Sequence, residues 1–363
     1  MRKLIDISRP KQWKTISGKD LLDKGYPVYG ANGVIGYWSE YNHEKETIAI
    51  GCRGTCGEVN IVPAKSYING NAMCLDDLSG DVELRYLYYY LKWYDLKKII
   101  SGSTIPQITI EGLKKVEVKV FSKERQKEII IVLDKLSQII EKRQIELEKI
   151  DDLIKARFIE LFGDPEENPF GWDKMPLSEV IINANNGMAR RGNDEYGNIV
   201  MRLVELQDGY IDYSNPNRII LKDNEKKRYL LRDKDFLFAR VNGNPDNVGR
   251  CAVFHDIGEE VYHNDHIIRV HFNEDLLDGT FASALLNSDY GKRQLKSQIK
   301  TSAGQYTVSQ DGIGAIVTIL PSMDKQNQFA DVVKQIDKSK VAVQKSLEET
   351  QLLFDSLMQE YFG

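Results

Sequence analysis

Two long stretches of this chain place apolar residues at alternating spacings of three and four. The first runs from Ser122 to Phe162, with Leu133, Leu136, Ile140, Leu147, Ile150, Ile154 and Leu161 in the apolar positions. The second shows Val333, Ile336, Val343, Leu347, Phe354, Leu357 and Tyr361 in the same register. That spacing is a heptad seam and predicts two helices, each roughly 60 Å long at about 1.5 Å per residue. Arg143 and Arg157 interrupt the first seam where the second supplies Val343 and Leu357; Lys340 and Thr350 interrupt the second where the first supplies Ile140 and Ile150. Each helix fills the other's gaps, so the two are expected to pair as a coiled coil unless the polar seam residues mark register or a second partner; an antiparallel pair would hold the two bodies at opposite ends. Both begin alike, with a Ser at the expected N-cap (Ser122, Ser322) and an acid two residues later (Glu124, Asp324) facing the positive helix end.

Elsewhere the pattern shortens to strands. Thr47–Ile50, Glu58–Val62 and Val116–Val120 read as strands between glycine-rich turns, and Leu84, Leu87, Tyr88 and Leu91 give a helix one apolar face. Residues 172–322 repeat that order, with strands at Ile219–Leu221, Asp235–Arg240, Cys251–Phe254 and Ile267–His271, then a helix from Phe281 to Ile299. The tyrosines at 86, 88, 89 and 90 stand at helical spacing and are assigned to core and flank rather than to a stacking surface. Both bodies are therefore expected to be α+β.

A constant shift of 200 residues lays Ser101–Gly163 over Thr301–Gly363 without a gap, matching Ser122 to Ser322, Gln126 to Gln326 and Phe162-Gly163 to Phe362-Gly363. The chain thus reads as a pseudo-twofold tandem repeat of globular body and long helix. Expected boundaries are 1–121 and 164–321 for the bodies, 122–163 for the central helix and 322–363 for the C-terminal one. In this arrangement the paired helices act as a spacer and dock the same partner twice.

Composition changes this picture little. The 363 residues carry a formal charge of −5, and no stretch approaches the roughly 18 apolar residues of a spanning helix. The start lacks the apolar segment of a signal peptide, so a cytoplasmic protein away from membranes is expected. Four cysteines without a matched framework read as reduced, mostly buried thiols. Cys52-x3-Cys56 with Cys74 and His43 offers zinc-type donors, but Cys52 and Cys56 fall in a strand and turn, and no metal is assigned.

Candidate chemistry lies in loops. Residues 29–37 and 51–57 of the first body are glycine-rich and tipped with Asn, Arg, Thr and Tyr, types that pair with phosphates or base edges. The second body offers Arg240-Val241-Asn242-Gly243-Asn244 after a matching strand, and His263-Asn264-Asp265-His266 before the next. Candidate DNA contacts are Asn32, Tyr37, Arg53, Thr55, Ser103 and Gln107 in the first body, and Arg190, Arg240, Asn242, Asn244, His263 and Gln305 in the second. Phosphate-loop, zinc-protease, dinucleotide and base-methylation motifs are all missing, so no catalytic residue is expected on this chain.

Several motifs together resemble the specificity subunit of type I restriction-modification systems. They are the run from Pro27 to Tyr37, Gly102-Ser103-Thr104-Ile105-Pro106-Gln107-Ile108, Glu124 to Ile129, Leu161 to Pro165, Asn168-Pro169 and Gly171-Trp172. The resemblance implies two target recognition domains, each reading half of a split double-stranded DNA sequence, and two helices that bind two methyltransferase subunits. It implies restriction subunits in the full complex, with S-adenosylmethionine, ATP and magnesium on those partners and no cofactor here. One departure is the tail, where Thr301–Tyr306 replaces the Gly-Ser-Thr-Ile-Pro-Gln run. The alternative reading is a coiled-coil scaffold joining two proteins without touching DNA.

Overall fold

The computed structural model describes residues 1–102, 106–302 and 304–363. It divides into two compact units, residues 1–146 with 343–363 and residues 147–342. In the first, a four-stranded antiparallel sheet runs in the order Arg9–Gln12, Ala72–Asp76, Thr47–Gly51, Val59–Val62. Beside it a three-stranded sheet joins Gly33–Trp38 to Tyr26–Gly30 antiparallel, and Tyr26–Gly30 to Tyr67–Ile68 parallel. Ile48, Ile50, Met73 and Leu75 alternate onto one face of the larger sheet and are covered by the helix Leu84–Trp93. Tyr86, Tyr89 and Tyr90 are buried in that layer, as the sequence pattern predicts. The Tyr90 hydroxyl donates to the Glu117 carbonyl at 2.8 Å and that of Tyr89 to Asp134 at 2.6 Å, so none of the three offers a free face for stacking.

The second unit repeats this topology. Its larger sheet has the order Ile181–Asn186, Ile267–Phe272, Phe236–Ala239, Cys251–Val253, and its smaller one Arg218–Ile219, Asn198–Met201, Val261–His263, again with the last pair parallel. A third sheet, Val241–Asn242, Gln305–Thr307, Lys300–Ser302, is added. The first unit has single bridges at that station, Arg53 to Gln107 and Ser101 to Gln107. Where the sequence predicts one helix over 281–299 there are two, Gly279–Asn287 and Asp289–Ser297. The break falls at Ser288, whose Oγ accepts the Gly291 N–H at 3.3 Å and caps the second helix.

Both long helices form, Lys123–Phe162 and Met323–Phe362, offset by 200 residues as the repeat requires. Ser122 Oγ accepts the Arg125 N–H, the expected N-cap bond. Each unit takes the start of one long helix and the end of the other. Ile129 and Leu133 share the first core with Met358 and Phe362, while Phe329 and Val333 share the second with Phe158 and Phe162.

A buried glutamine fixes each helix start to its body. The Gln126 amide accepts the Glu83 N–H at 2.8 Å and donates to the Asp81 and Phe121 carbonyls at 2.9 and 2.8 Å. Gln326 does the same with the Asp278 N–H and the Leu276 and Pro321 carbonyls, at 2.9, 3.0 and 2.8 Å. Both side chains are 0% exposed, and each satisfies three backbone groups otherwise lost to water. No helix of the described residues is long and apolar enough to cross a membrane.

Candidate functional site

In the first body the hairpin turn Ala31-Asn32 meets the loop after Thr47–Gly51. Gly51 is required there because a Cβ would lie 2.4 Å from both the Ala31 and Thr55 carbonyl oxygens. This close approach brings exposed Asn32 beside exposed Arg53 and Thr55. Gln107 joins them through its bridge to Arg53, and the Ile108 N–H donates to the Cys52 carbonyl at 3.0 Å. Tyr37 does not. It pairs with Pro27 and bridges Leu22 at the far end of the hairpin, about 13 Å along the strand from the turn at roughly 3.3 Å per residue. Ser103 lies outside the described residues.

The second body builds its cluster at the corresponding place. The Ala239 N–H donates to the Arg250 carbonyl and the Val308 N–H to that of Arg240, as Gly51 and Ile108 do with Glu58 and Cys52. Cys52 therefore corresponds to Arg240, and Arg53 to Val241. Arg240 donates from Nη1 to the Asp265 carbonyl at 3.1 Å. Arg191 Nη2 stands 2.7 Å from Asp265 Oδ1 and 3.1 Å from His266 Nε2. A guanidinium only donates, so His266 accepts at Nε2 and carries its proton on Nδ1. Burial lowers the His266 pKa, and the nearby Arg191 and Arg240 charges push it down further against Asp265. The result is a neutral imidazole between two fixed cations.

Asn242 and Asn244 shape the adjoining loop. Asn242 Oδ1 accepts the Asn244 N–H at 2.8 Å and Asn244 Oδ1 the Asp246 N–H at 3.0 Å. Asn242 pairs with Tyr306, next to the exposed Gln305. Arg190 points elsewhere, making a fork to Glu225 at 3.0 and 2.8 Å and a bond to the Ile220 carbonyl at 2.8 Å. That bond lowers the Glu225 pKa to about 2.

His263 corrects the sequence reading. It is 0% exposed, with Nδ1 donating to the Tyr229 carbonyl at 3.1 Å, and burial lowers its pKa to about 4. A side chain without exposed surface touches no ligand, so His263 is a core residue. The exposed Arg191, rather than Arg190, stands against Asp265 and His266 beside this loop. The sequence named Arg190 and the run His263-Asn264-Asp265-His266, but successive residues of an extended chain face opposite ways, and no periodicity says which faces out there.

The structure thus places two loop clusters at one station of a duplicated α+β body, each body joined to a 40-residue helix. Residues 1–149 match the family model described as the type I restriction modification DNA specificity domain. The chain is 25% identical over 276 residues to the StySPI specificity subunit of Salmonella potsdam, covering 73% of this chain and 60% of that one. It is 21% identical over 257 residues to the EcoKI specificity subunit of Escherichia coli K12, covering 67% and 54%. The matches thus span little more than half the length of these curated relatives. The crystal structure of the S subunit from M. genitalium shares the fold, with a TM-score of 0.63 at 19% identity over 100% of this chain and 95% of that one. Residues 1–149 thus match the type I restriction-modification DNA specificity domain, and the chain as a whole is similar to type I specificity subunits.

Proposed function

We propose that this chain is the sequence-specific DNA-binding subunit of a type I restriction-modification complex and recognises a bipartite DNA sequence, one half per body. The observation that carries this reading is the matched pair of loop clusters. Arg191 and Arg240 are held around Asp265 in the second body, and Arg53, Thr55, Asn32 and Gln107 converge in the first. A restrained guanidinium with solvent on one side suits guanine, whose O6 and N7 accept its two donors. The long helices pair antiparallel as a coiled coil, a reading supported by the Lys340–Asp151 ion pair at 2.6 Å and the Phe158–Phe329 ring contact. Exposed Ile131, Ile139, Val341 and Leu352 leave apolar surface on them for two methyltransferase subunits. Catalysis, S-adenosylmethionine, ATP and magnesium belong to those and to the restriction subunits, in the cytoplasm.

The test is to map adenine methylation in cells making this chain with its neighbouring methyltransferase, and in cells making the methyltransferase alone. A split motif appearing only with this chain supports the reading and gives both half-sites. Methylation indifferent to this chain, with the complex confirmed, overturns it.

A further inference from the structure

The first body holds a buried donor cluster that the loops do not use. Cys74 is 0% and His43 7% exposed, Asp76 is half-buried, and their donor atoms lie within 4.8 Å of one another. Cys74 and Asp76 are two residues apart on the strand Ala72–Asp76 and so share a face. His43 comes from the turn leading into Thr47–Gly51.

Local hydrogen bonds fix the imidazole. Asn42 donates from Nδ2 to the Ile68 carbonyl at 3.0 Å and accepts the Ile68 N–H on Oδ1 at 2.8 Å, so its amide has one orientation. That Oδ1 stands 2.6 Å from His43 Nδ1, which must therefore carry the proton. Nε2 faces Asp76 Oδ1 at 3.2 Å. A ring whose Nδ1 is held by an amide oxygen presents Nε2 to the space between Asp76 and Cys74, the arrangement of a metal-ligating imidazole with its other nitrogen hydrogen-bonded. Lys11, the neighbouring cation, sits 3.5 Å over the Trp13 ring.

The second body shows the same corner with its cation built in. Ala49 pairs with Cys74 where Leu237 pairs with Arg269, so Arg269 stands at the position of Cys74, His271 at that of Asp76, and Asp235 at that of Thr47. Asp235 is 0% exposed, with Arg269 Nη1 at 3.6 Å and His271 Nδ1 at 3.2 Å. At the matching place the first body replaces the guanidinium with a thiol.

We propose that His43 Nε2, Cys74 Sγ and Asp76 Oδ1 bind one divalent transition-metal ion of the zinc class, with Asn42 as the outer residue that orients His43. A nitrogen, sulfur and oxygen donor set suits zinc, with bonds of about 2.0–2.3 Å, and side-chain movements of about 1 Å close the set around an ion. Binding transfers the Cys74 thiol proton to solvent, and thiolate and carboxylate together cancel the charge of the ion. Metal uptake therefore releases a proton. Cys52 and Cys56, considered as ligands from sequence, lie outside the cluster; Cys74 Sγ donates to the Lys11 carbonyl at 3.1 Å, a bond that metal binding replaces. The site is independent of DNA reading and revises the expectation that this chain carries no metal.

The experiment strips the full-length chain with a chelator and titrates it with cobalt(II) and zinc(II). One equivalent of cobalt giving a thiolate-to-metal absorption band in the near ultraviolet, displaced by zinc, is expected. Cys74→Ser should abolish the band while Cys251→Ser, altering a buried thiol of the second body, keeps it. Asn42→Ala should weaken binding about 10–100-fold, as for an outer partner. Absence of stoichiometric uptake by the wild-type chain overturns the proposal. So does an unchanged band in Cys74→Ser, or nitrogen NMR of His43 showing protons on both ring nitrogens that zinc leaves unmoved.

Discussion

The two bodies carry one scaffold and different chemistry. Backbone pairing is the same at every major sheet contact, and Gln126 and Gln326 make the same three bonds. The residues at matched positions differ around the loops, Cys52 against Arg240 and Gly70-Asn71 against Asp265-His266, and also in the core beneath them, Ile68 against His263. The Cys52 N–H donates to Asn71 as the Arg240 N–H donates to His266, which fixes these equivalences. Duplication preserves what attaches a body to the long helices and leaves free what lies at the loop tips. That division suits the proposed function, in which one fold reads two half-sites of unrelated sequence.

The strongest break of this comparison is at the shared part. Phe162 and Phe362 are 0% and 3% exposed and end the two helices inside opposite cores. Phe162→Ala should destabilise the second unit, and Phe362→Ala the first, by about 3–5 kcal/mol each. Hydrogen exchange resolved along the chain checks this; loss of protection in the other unit would show that the two cores are not equivalent. Gln126→Leu and Gln326→Leu should cost on the order of 3 kcal/mol apiece, because each buried backbone group left unpaired costs about 1–3 kcal/mol.

His263 separates the bodies by pH. Its pKa falls from 6.5 to about 4 on folding, so the unfolded chain binds the extra proton first. Its contribution is present above the unfolded value and is lost as pH falls from about 6.5 through 4. That window is on the order of 3 kcal/mol at 1.36 kcal/mol per pKa unit. The second unit should lose stability there, and the variant His263→Asn should flatten the slope. The first unit has Ile68 at the matched position and lacks this contribution; its own limb of the same sign comes from His43, whose pKa burial also lowers.

Sequence made the shared parts legible and the divergent parts less so. A heptad seam and a fixed shift mark Lys123–Phe162 and Met323–Phe362 because helical burial is periodic over forty residues. The burial of Tyr86, Tyr89 and Tyr90 followed from the same periodicity. The break at Ser288 escaped it, since one cap bond outweighs a continuing apolar stripe. Loop positions were found but not their facing: Arg191 and His266 were missed beside Arg190 and His263. Three-dimensional partners such as Asp265 and Glu225, distant in sequence, decide which neighbour turns outward.

At the loop tips the expected effects are smaller. Arg191→Ala or Arg240→Ala should weaken DNA binding by about 1–3 kcal/mol and relax one half-site only, as Arg53→Ala should for the other. Selection of bound sequences from a random pool reads this directly. A uniform loss across sequences with a shallower salt dependence would make the residue a phosphate contact.

The smallest effect sharpens the same contrast. Arg190 is as basic as Arg191 and is also exposed, yet its guanidinium is committed to Glu225 and the Ile220 carbonyl, whereas Arg191 is braced by Asp265 beside the loops. Arg190→Ala should therefore change DNA affinity by less than about 0.5 kcal/mol, the range of an ordinary surface substitution. Glu225→Gln should change it as little, because a structural pin gains nothing for DNA when its partner is neutralised. If Glu225→Gln instead tightens binding and Arg190→Ala abolishes the gain, Arg190 leaves its carboxylate to meet DNA, and the binding surface extends to the edge strand Arg218–Ile219.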